Sequence, residues 1–187
     1  MSKLKPPKTL PQINARRQIA RSRFFCIEEV DLAFSNGETR TFERMAGSGR
    51  GAVMIIPLVD DEHFLLIREY AAGTHSYQLG FPKGLIDPNE TPETAANREL
   101  QEEVGYAAKK LSMLKTVQMA PTFYDASMHI FVAEGLHPSS LIGDEPEPLE
   151  VIKWPINQST ELLDNDDFRE ARSVAALLLL QRWRKSL

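Results

Sequence analysis

The stretch from Gly84 to Tyr106 constrains this chain more than any other, because start and stop signals bracket a dense row of acids. Thr91 is a good helix N-cap, and Pro92 then falls at the first helical position, where its missing N–H costs nothing. Gly105 stands where a left-handed residue closes a helix. The spacing predicts a loop feeding a helix over residues 91–104. On that helix Glu99 and Glu103 lie about 40° apart, with Glu102 about 60° to the other side of Glu99, so three carboxylates share roughly 100° of arc. Like charges so placed weaken an isolated helix by a few tenths of a kcal/mol per pair. A hard divalent cation relieves that repulsion, since it takes carboxylate oxygens and bridges to phosphates. Arg98 adjoins the cluster and is placed to orient a glutamate through a charge-assisted hydrogen bond. A solvated acidic face would account for the glutamates, but it says nothing about the loop before them.

The segment as a whole matches the signature of the Nudix hydrolase superfamily: Gly, five residues, Glu, seven residues, then Arg-Glu-apolar-x-Glu-Glu-x-Gly-apolar. Gly84, Glu90, Arg98, Glu99, Glu102, Glu103 and Gly105 fall on its fixed positions, and Tyr106 stands at the last one, bulkier than the usual aliphatic. With residue frequencies near one in fifteen, such a match arises by chance about once in 10⁶ chains of this length. The resemblance implies an α/β/α sandwich with a mixed sheet. It also implies Mg²⁺ or Mn²⁺ held by Glu99, Glu102 and Glu103, with the backbone carbonyl of Lys83 joining them. The implied reaction is attack by metal-activated water on a diphosphate, with Glu145 or a box glutamate (Glu102 or Glu103) taking the proton.

Further features narrow the substrate by resemblance. Pro121 lies 15 residues after Tyr106 (121 − 106), within Met119-Ala120-Pro121-Thr122-Phe123, as in members acting on ADP-ribose and related ADP compounds. Gly143-Asp144-Glu145-Pro146-Glu147-Pro148-Leu149-Glu150 resembles the acidic loop of those enzymes, which makes Glu145 the candidate general base and Glu147 an extra metal ligand. The Ser35-Asn36-Gly37 turn followed by Glu43-Arg44-Met45 resembles their N-terminal subdomain, which exchanges with a second subunit and clasps adenine. One departure stands out: many of these enzymes read Gln-Tyr-Arg where this chain has Glu69-Tyr70-Ala71, so an arginine near the nucleotide is absent, and either Arg68 replaces it from a different angle or the substrate range is broader. With Gly80-Phe81-Pro82-Lys83-Gly84 included, the pattern resembles the bacterial ADP-compounds hydrolase and ADP-ribose pyrophosphatase type. The expected substrates are ADP-ribose, NADH and diadenosine polyphosphates, cut to release AMP, with Glu43, Arg44, Arg68, Leu85, Pro121 and Phe123 lining the nucleotide and a homodimer as the expected assembly. Two alternatives stand beside this reading. One is a Nudix hydrolase of another class, acting on oxidised nucleoside triphosphates or RNA ends. The other is a non-catalytic Nudix-like nucleotide sensor, against which the intact set of box glutamates speaks.

Composition removes other classes. With 22 basic against 26 acidic residues the chain is mildly acidic, which argues against bulk binding to nucleic acid or anionic membrane. The lone cysteine, Cys26, suits a reducing compartment. The first ten residues carry lysines but no apolar signal core, and the longest apolar run, Val174–Leu180, is too short to span a bilayer, so a cytoplasmic protein is expected. Residues 1–19, rich in Pro and Lys, read as a loose arm; 20–48 as a small β subdomain built on a hairpin; and 49–187 as the hydrolase domain. Strands are expected over 52–59, 64–69, 76–81, 111–119, 129–133 and 150–154. A C-terminal helix over 168–185 is expected to pack through Phe168, Ala171, Ala175, Leu178 and Leu179. The histidines show no metal-ligand spacing, and Trp154 and Trp183 read as packing anchors.

Overall fold

The computed structural model describes residues 8–47 and 49–185. Two compact units partition the chain, one comprising residues 1–49 and 120–126, the other 50–119 and 127–187. In the first unit, β1 (Gln12–Arg21), β2 (Cys26–Ala33) and β3 (Thr39–Ala46) form an antiparallel meander. The β2–β3 turn is the expected one, with Gly37 at φ +86° and Asn36 Oδ1 accepting the Glu38 amide at 3.1 Å. Tyr124 pairs in parallel with Met45.

The loose arm expected over residues 1–19 needs correction from Gln12 onward, where the chain is strand; residues 1–7 lie outside the described residues. Register shifts between Ile13 and Ala15 and between Gln18 and Ala20 break the alternation that marks a strand in sequence. The strand is almost wholly exposed, so no apolar face betrays it. Backbone pairing to β2 holds it, helped by Arg17 bridging Glu29 at 2.9 Å and Asp31.

The chain continues through β4 (Ala52–Pro57), β5 (His63–Ala71), β6 (Ser76–Gly80), β7 (Lys83–Leu85), α1 (Pro92–Glu103), β8 (Tyr106–Ala107), β9 (Lys110–Ala120), β10 (Tyr124–Glu134), β11 (His137–Pro138), β12 (Glu150–Pro155), α2 (Ser159–Leu162) and α3 (Ala171–Arg184), all in the second unit except residues 120–126 at the end of β9 and the start of β10. β4 lies parallel to β10 and antiparallel to β7, and β9 pairs with β10. A second sheet runs β12–β5–β6, all antiparallel, and β8 pairs with β11.

Period-two alternation divides the core between two faces. Met54, Ile56, Leu66, Ile130 and Val132 join Leu177 and Leu180 of α3, whereas Val53, Ile55, Ile67 and Phe131 join Ala95, Ala96 and Leu100 of α1. Mixed strand directions with a helix covering each face make the expected α/β/α sandwich. The C-terminal helix forms, but on a different phase: Ser173, Ala176, Leu177 and Leu180 face inward with Phe168 just before them, while Leu178 is half-exposed. The run Val174–Leu180 is apolar all round, so periodicity could not select its buried side. Trp154 and Trp183 both pack against the α3-side core.

Candidate active site

α1 begins and ends where its caps require. The Thr91 hydroxyl accepts the Thr94 amide at 3.2 Å, Pro92 opens the first turn, and Gly105 closes the helix at φ +78°. Ala95, Ala96 and Leu100 anchor one side in the core, and that orientation carries Glu99 and Glu103 out of water as well, at 8% and 6% exposure. A helix does not bury charge unprompted, since an uncompensated carboxylate in a low-dielectric setting is costly.

Arg98 organises the partial compensation. Its Nε and Nη2 donate to the two oxygens of Glu90, each at 3.0 Å, and Nη2 also donates to the Leu85 carbonyl at 2.9 Å. Its Nη1 reaches Glu99 at 2.7 Å and Glu102 at 2.8 Å. This fork holds the Glu90 carboxyl below its ordinary value. It does not suffice for Glu99. Burial pushes that carboxyl up to about 7, against the pull of Arg98 and with a further push from Glu102 and Glu145. Glu103 rises further, to about 9; burial is the chief cause, Lys83 opposes it, and Glu69 and Glu99 add to it. Glu103 Oε2 accepts the Lys83 amide at 2.7 Å. The glycine at 84 is required for contact: a Cβ there would overlap the Glu99 carboxylate.

Hard oxygen donors, buried together and under-compensated, fit a divalent cation by their chemistry. Among the described residues no three His, Cys, Asp or Glu side chains already converge as a cage. Glu99 and Glu102 are drawn to Arg98 instead, and Glu103 to the Lys83 amide.

The loop bearing Glu145 comes to the same helix. Leu141 N–H donates to Gln101 O at 3.3 Å, and a Cβ at Gly143 would lie 3.6 Å from Glu102 Cβ. Glu147 is turned elsewhere, accepting the Tyr77 hydroxyl at 2.5 Å, in a cleft of about 290 Å³ shared with Arg68, Glu69, Tyr70 and Glu145. In the first unit Glu43, Arg44 and Thr122 border an apolar groove with Ile13 and Phe42. Arg44 pairs there with Glu28 at 2.5 Å, Pro121 and Phe123 are exposed, and the Phe123 carbonyl accepts the Met45 amide at 2.7 Å.

Two family matches cover most of the chain: the NUDIX domain over residues 49–182, and the NudE-type Nudix hydrolase N-terminal domain over residues 11–44. The chain belongs to the Nudix hydrolase family. It is 55% identical to the ADP compounds hydrolase NudE of Escherichia coli over 94% of both chains, and 27% identical to the ADP-ribose pyrophosphatase of Bacillus subtilis over 89% of this chain and 90% of that one. A crystal structure of an ADP compounds hydrolase superimposes with a TM-score of 0.91 at 53% identity, covering 97% of this chain and 98% of that one.

For this Nudix hydrolase the structure brings together Glu90, Arg98, Glu99, Glu102, Glu103, the Lys83 backbone and Glu145. Arg68 is engaged elsewhere, with Glu150 at 2.9 Å and Asp167 at 2.7 Å. Leu85 meets Arg98 through its carbonyl, and the residue is 66% exposed. Sequence reasoning missed Glu69, whose pairing with Lys83 Nζ sets a further carboxylate beside Glu103. It also missed Tyr77 as the partner of Glu147. Both partnerships join residues on different strands or loops, so no local spacing announces them. Glu90 as the anchor of Arg98 was findable, because the box fixes their separation of eight residues.

Proposed function

We propose that this Nudix hydrolase cleaves the diphosphate bond of ADP-containing compounds, among them ADP-ribose, NADH and diadenosine polyphosphates, with release of AMP. One observation carries the reading: Glu99 and Glu103 are buried on one helix face with too little positive charge around them, which supports a role in receiving cations with the substrate. The naming of a relative 55% identical along nearly the whole chain supports the choice of substrate class. Glu99, Glu102 and Glu103, with the Lys83 carbonyl and Glu147, are the groups that hold Mg²⁺ or Mn²⁺. Bound there, such ions polarise phosphoryl oxygens, activate water and offset leaving-group charge.

The chain's own residues do the rest. Arg98 fixes Glu99 and Glu102 in one orientation and ties the helix to the Glu90 loop. Gly84 leaves room for the Glu99 carboxylate to lie against the loop. Glu145 approaches from its own loop to accept a proton from the attacking water. Glu43, Arg44, Arg68, Leu85, Pro121 and Phe123 are assigned to the nucleotide. The N-terminal unit, with Leu10, Ile13 and Phe42 exposed along an apolar groove, is assigned to homodimerisation and clasping of the substrate. Among the described residues no helix is long and apolar enough to cross a membrane; the lone Cys26 supports a cytoplasmic setting. The test is AMP release across a panel of ADP-ribose, NADH, diadenosine polyphosphates, an oxidised nucleoside triphosphate and capped RNA, with Mg²⁺ and with EDTA. Metal-dependent AMP release from the first three supports the proposal; turnover confined to the last two refutes it.

A further inference from the structure

Glu99 and Glu102 share Arg98 Nη1, Glu103 and Glu69 both meet Lys83, and a diphosphate brings further negative charge to this group of carboxylates. The nearby arginines each have carboxylate partners, Arg172, which borders the cleft beside Lys83, being paired with Glu170 at 2.7 Å. Arg98 serves Glu90, Glu99, Glu102 and the Leu85 carbonyl, and Arg68 serves Glu150 and Asp167. Lys83 differs from Arg98 in serving one carboxylate only, and from Arg68 in being tied to the glutamate helix through its own backbone. Its backbone is fixed to α1 through the Glu103 hydrogen bond, while its ammonium rests on Glu69, with side-chain exposures of 21% and 38%. A partly solvated lysine–carboxylate pair is weak enough to exchange. The pair borders a cleft of about 220 Å³ with Tyr70, Ala71 and Gln78. Glu69 and Tyr70 also border the cleft that holds Glu145 and Glu147, so the two clefts meet at the counter-ion of Lys83.

From this arrangement we propose that Lys83 Nζ is a phosphate-binding group of the substrate site, kept on Glu69 until a diphosphate takes it over. The inference rests on the proposed hydrolysis of ADP-containing diphosphates. A lysine ammonium is a compact point charge on a flexible stem, suited to phosphoryl oxygens approached from varying directions. The contact forms when substrate binds and persists through the reaction, so it contributes mainly to KM.

K83Q, K83R and E69Q are compared with wild type using ADP-ribose at saturating Mg²⁺, with folding checked by circular dichroism. K83Q is expected to raise KM at least about ten-fold while kcat changes less than about three-fold, and to weaken product inhibition by AMP in parallel. K83R restores most of the loss, because it keeps the charge. E69Q, which frees the ammonium, does not raise KM. An unchanged KM in K83Q overturns the proposal. So does a fall in kcat with a higher Mg²⁺ requirement, which would make Lys83 a prop for Glu103. An equal KM rise in E69Q also overturns it, since the pair would then act as one structural unit. Should K83Q fail to fold, K83M takes its place with the same expected and overturning outcomes. Inactivity of the wild type on every ADP compound would instead sink the functional reading itself.

Discussion

Glu170 at the start of α3 and Glu99 in the middle of α1 are both carboxylates largely withdrawn from water, with side-chain exposures of 24% and 10%. Their protonation moves in opposite directions. Burial works against ionisation of Glu170, yet the Arg172 guanidinium and the amides of Arg172 and Ser173 outweigh it and hold the carboxyl below its ordinary value. Glu170 is a completed structure: an N-cap whose charge meets the helix dipole and a cation at once. Around Glu99 and Glu103 the same burial wins, because Arg98 is divided among three carboxylates and Lys83 is shared with Glu69. The difference separates a carboxylate whose charge the fold compensates from carboxylates whose charge it leaves under-compensated.

The sharpest way to break this contrast is Glu103→Gln. If Glu103 serves cation binding, ADP-ribose turnover in Mg²⁺ falls by at least about 10²-fold. Thermal melting in EDTA should not fall with it, because a Glu103 carboxyl raised to about 9 is already uncharged at neutral pH and the amide that replaces it has the same shape. A protein that loses stability and activity together would place Glu103 in the same class as Glu170. Gly84→Ala tests the geometry rather than the charge. The new methyl group displaces the Glu99 carboxylate, and kcat should drop about ten-fold while the protein stays folded.

Glu170→Ala should do the reverse, lowering stability by about 1 kcal/mol, or about 2–4 °C in Tm, without loss of activity per folded molecule. The pH dependence of that difference is the smallest effect and has a definite sign. Because the folded-state value of Glu170 is depressed, its contribution is complete above the unfolded value near 4.5 and is lost as pH falls toward the folded value. Melting curves should therefore show the gap between wild type and Glu170→Ala narrowing on acidification.

The same contrast separates what the sequence could show from what it could not. α1 was readable because Thr91, Pro92 and Gly105 are local signals and the box fixes Glu90, Arg98 and the three glutamates by spacing alone. β4 and β5 were readable as short apolar runs joined by the acidic turn Asp60-Asp61-Glu62. β1 was not, because its bulges break alternation and its exposure leaves no apolar run. The inward side of α3 was hidden by a run that is apolar in every direction. Nor could spacing reveal that Lys83 pairs with Glu69, that Arg68 is tied to Glu150 and Asp167, or that Glu147 turns to Tyr77. These pairings are made by the packing of strands and loops far apart in the chain. The charge balance of a buried site is likewise a property of the fold, legible only once burial is known.

The most direct test of the central claim is a Mn²⁺ titration followed by electron paramagnetic resonance, without substrate, on wild type, the Glu99→Gln/Glu103→Gln double variant and Glu170→Ala. The under-compensated α1 carboxylates predict that wild type and Glu170→Ala bind Mn²⁺ alike, while the double variant loses at least about ten-fold in affinity. Equal affinity in all three proteins would contradict the account.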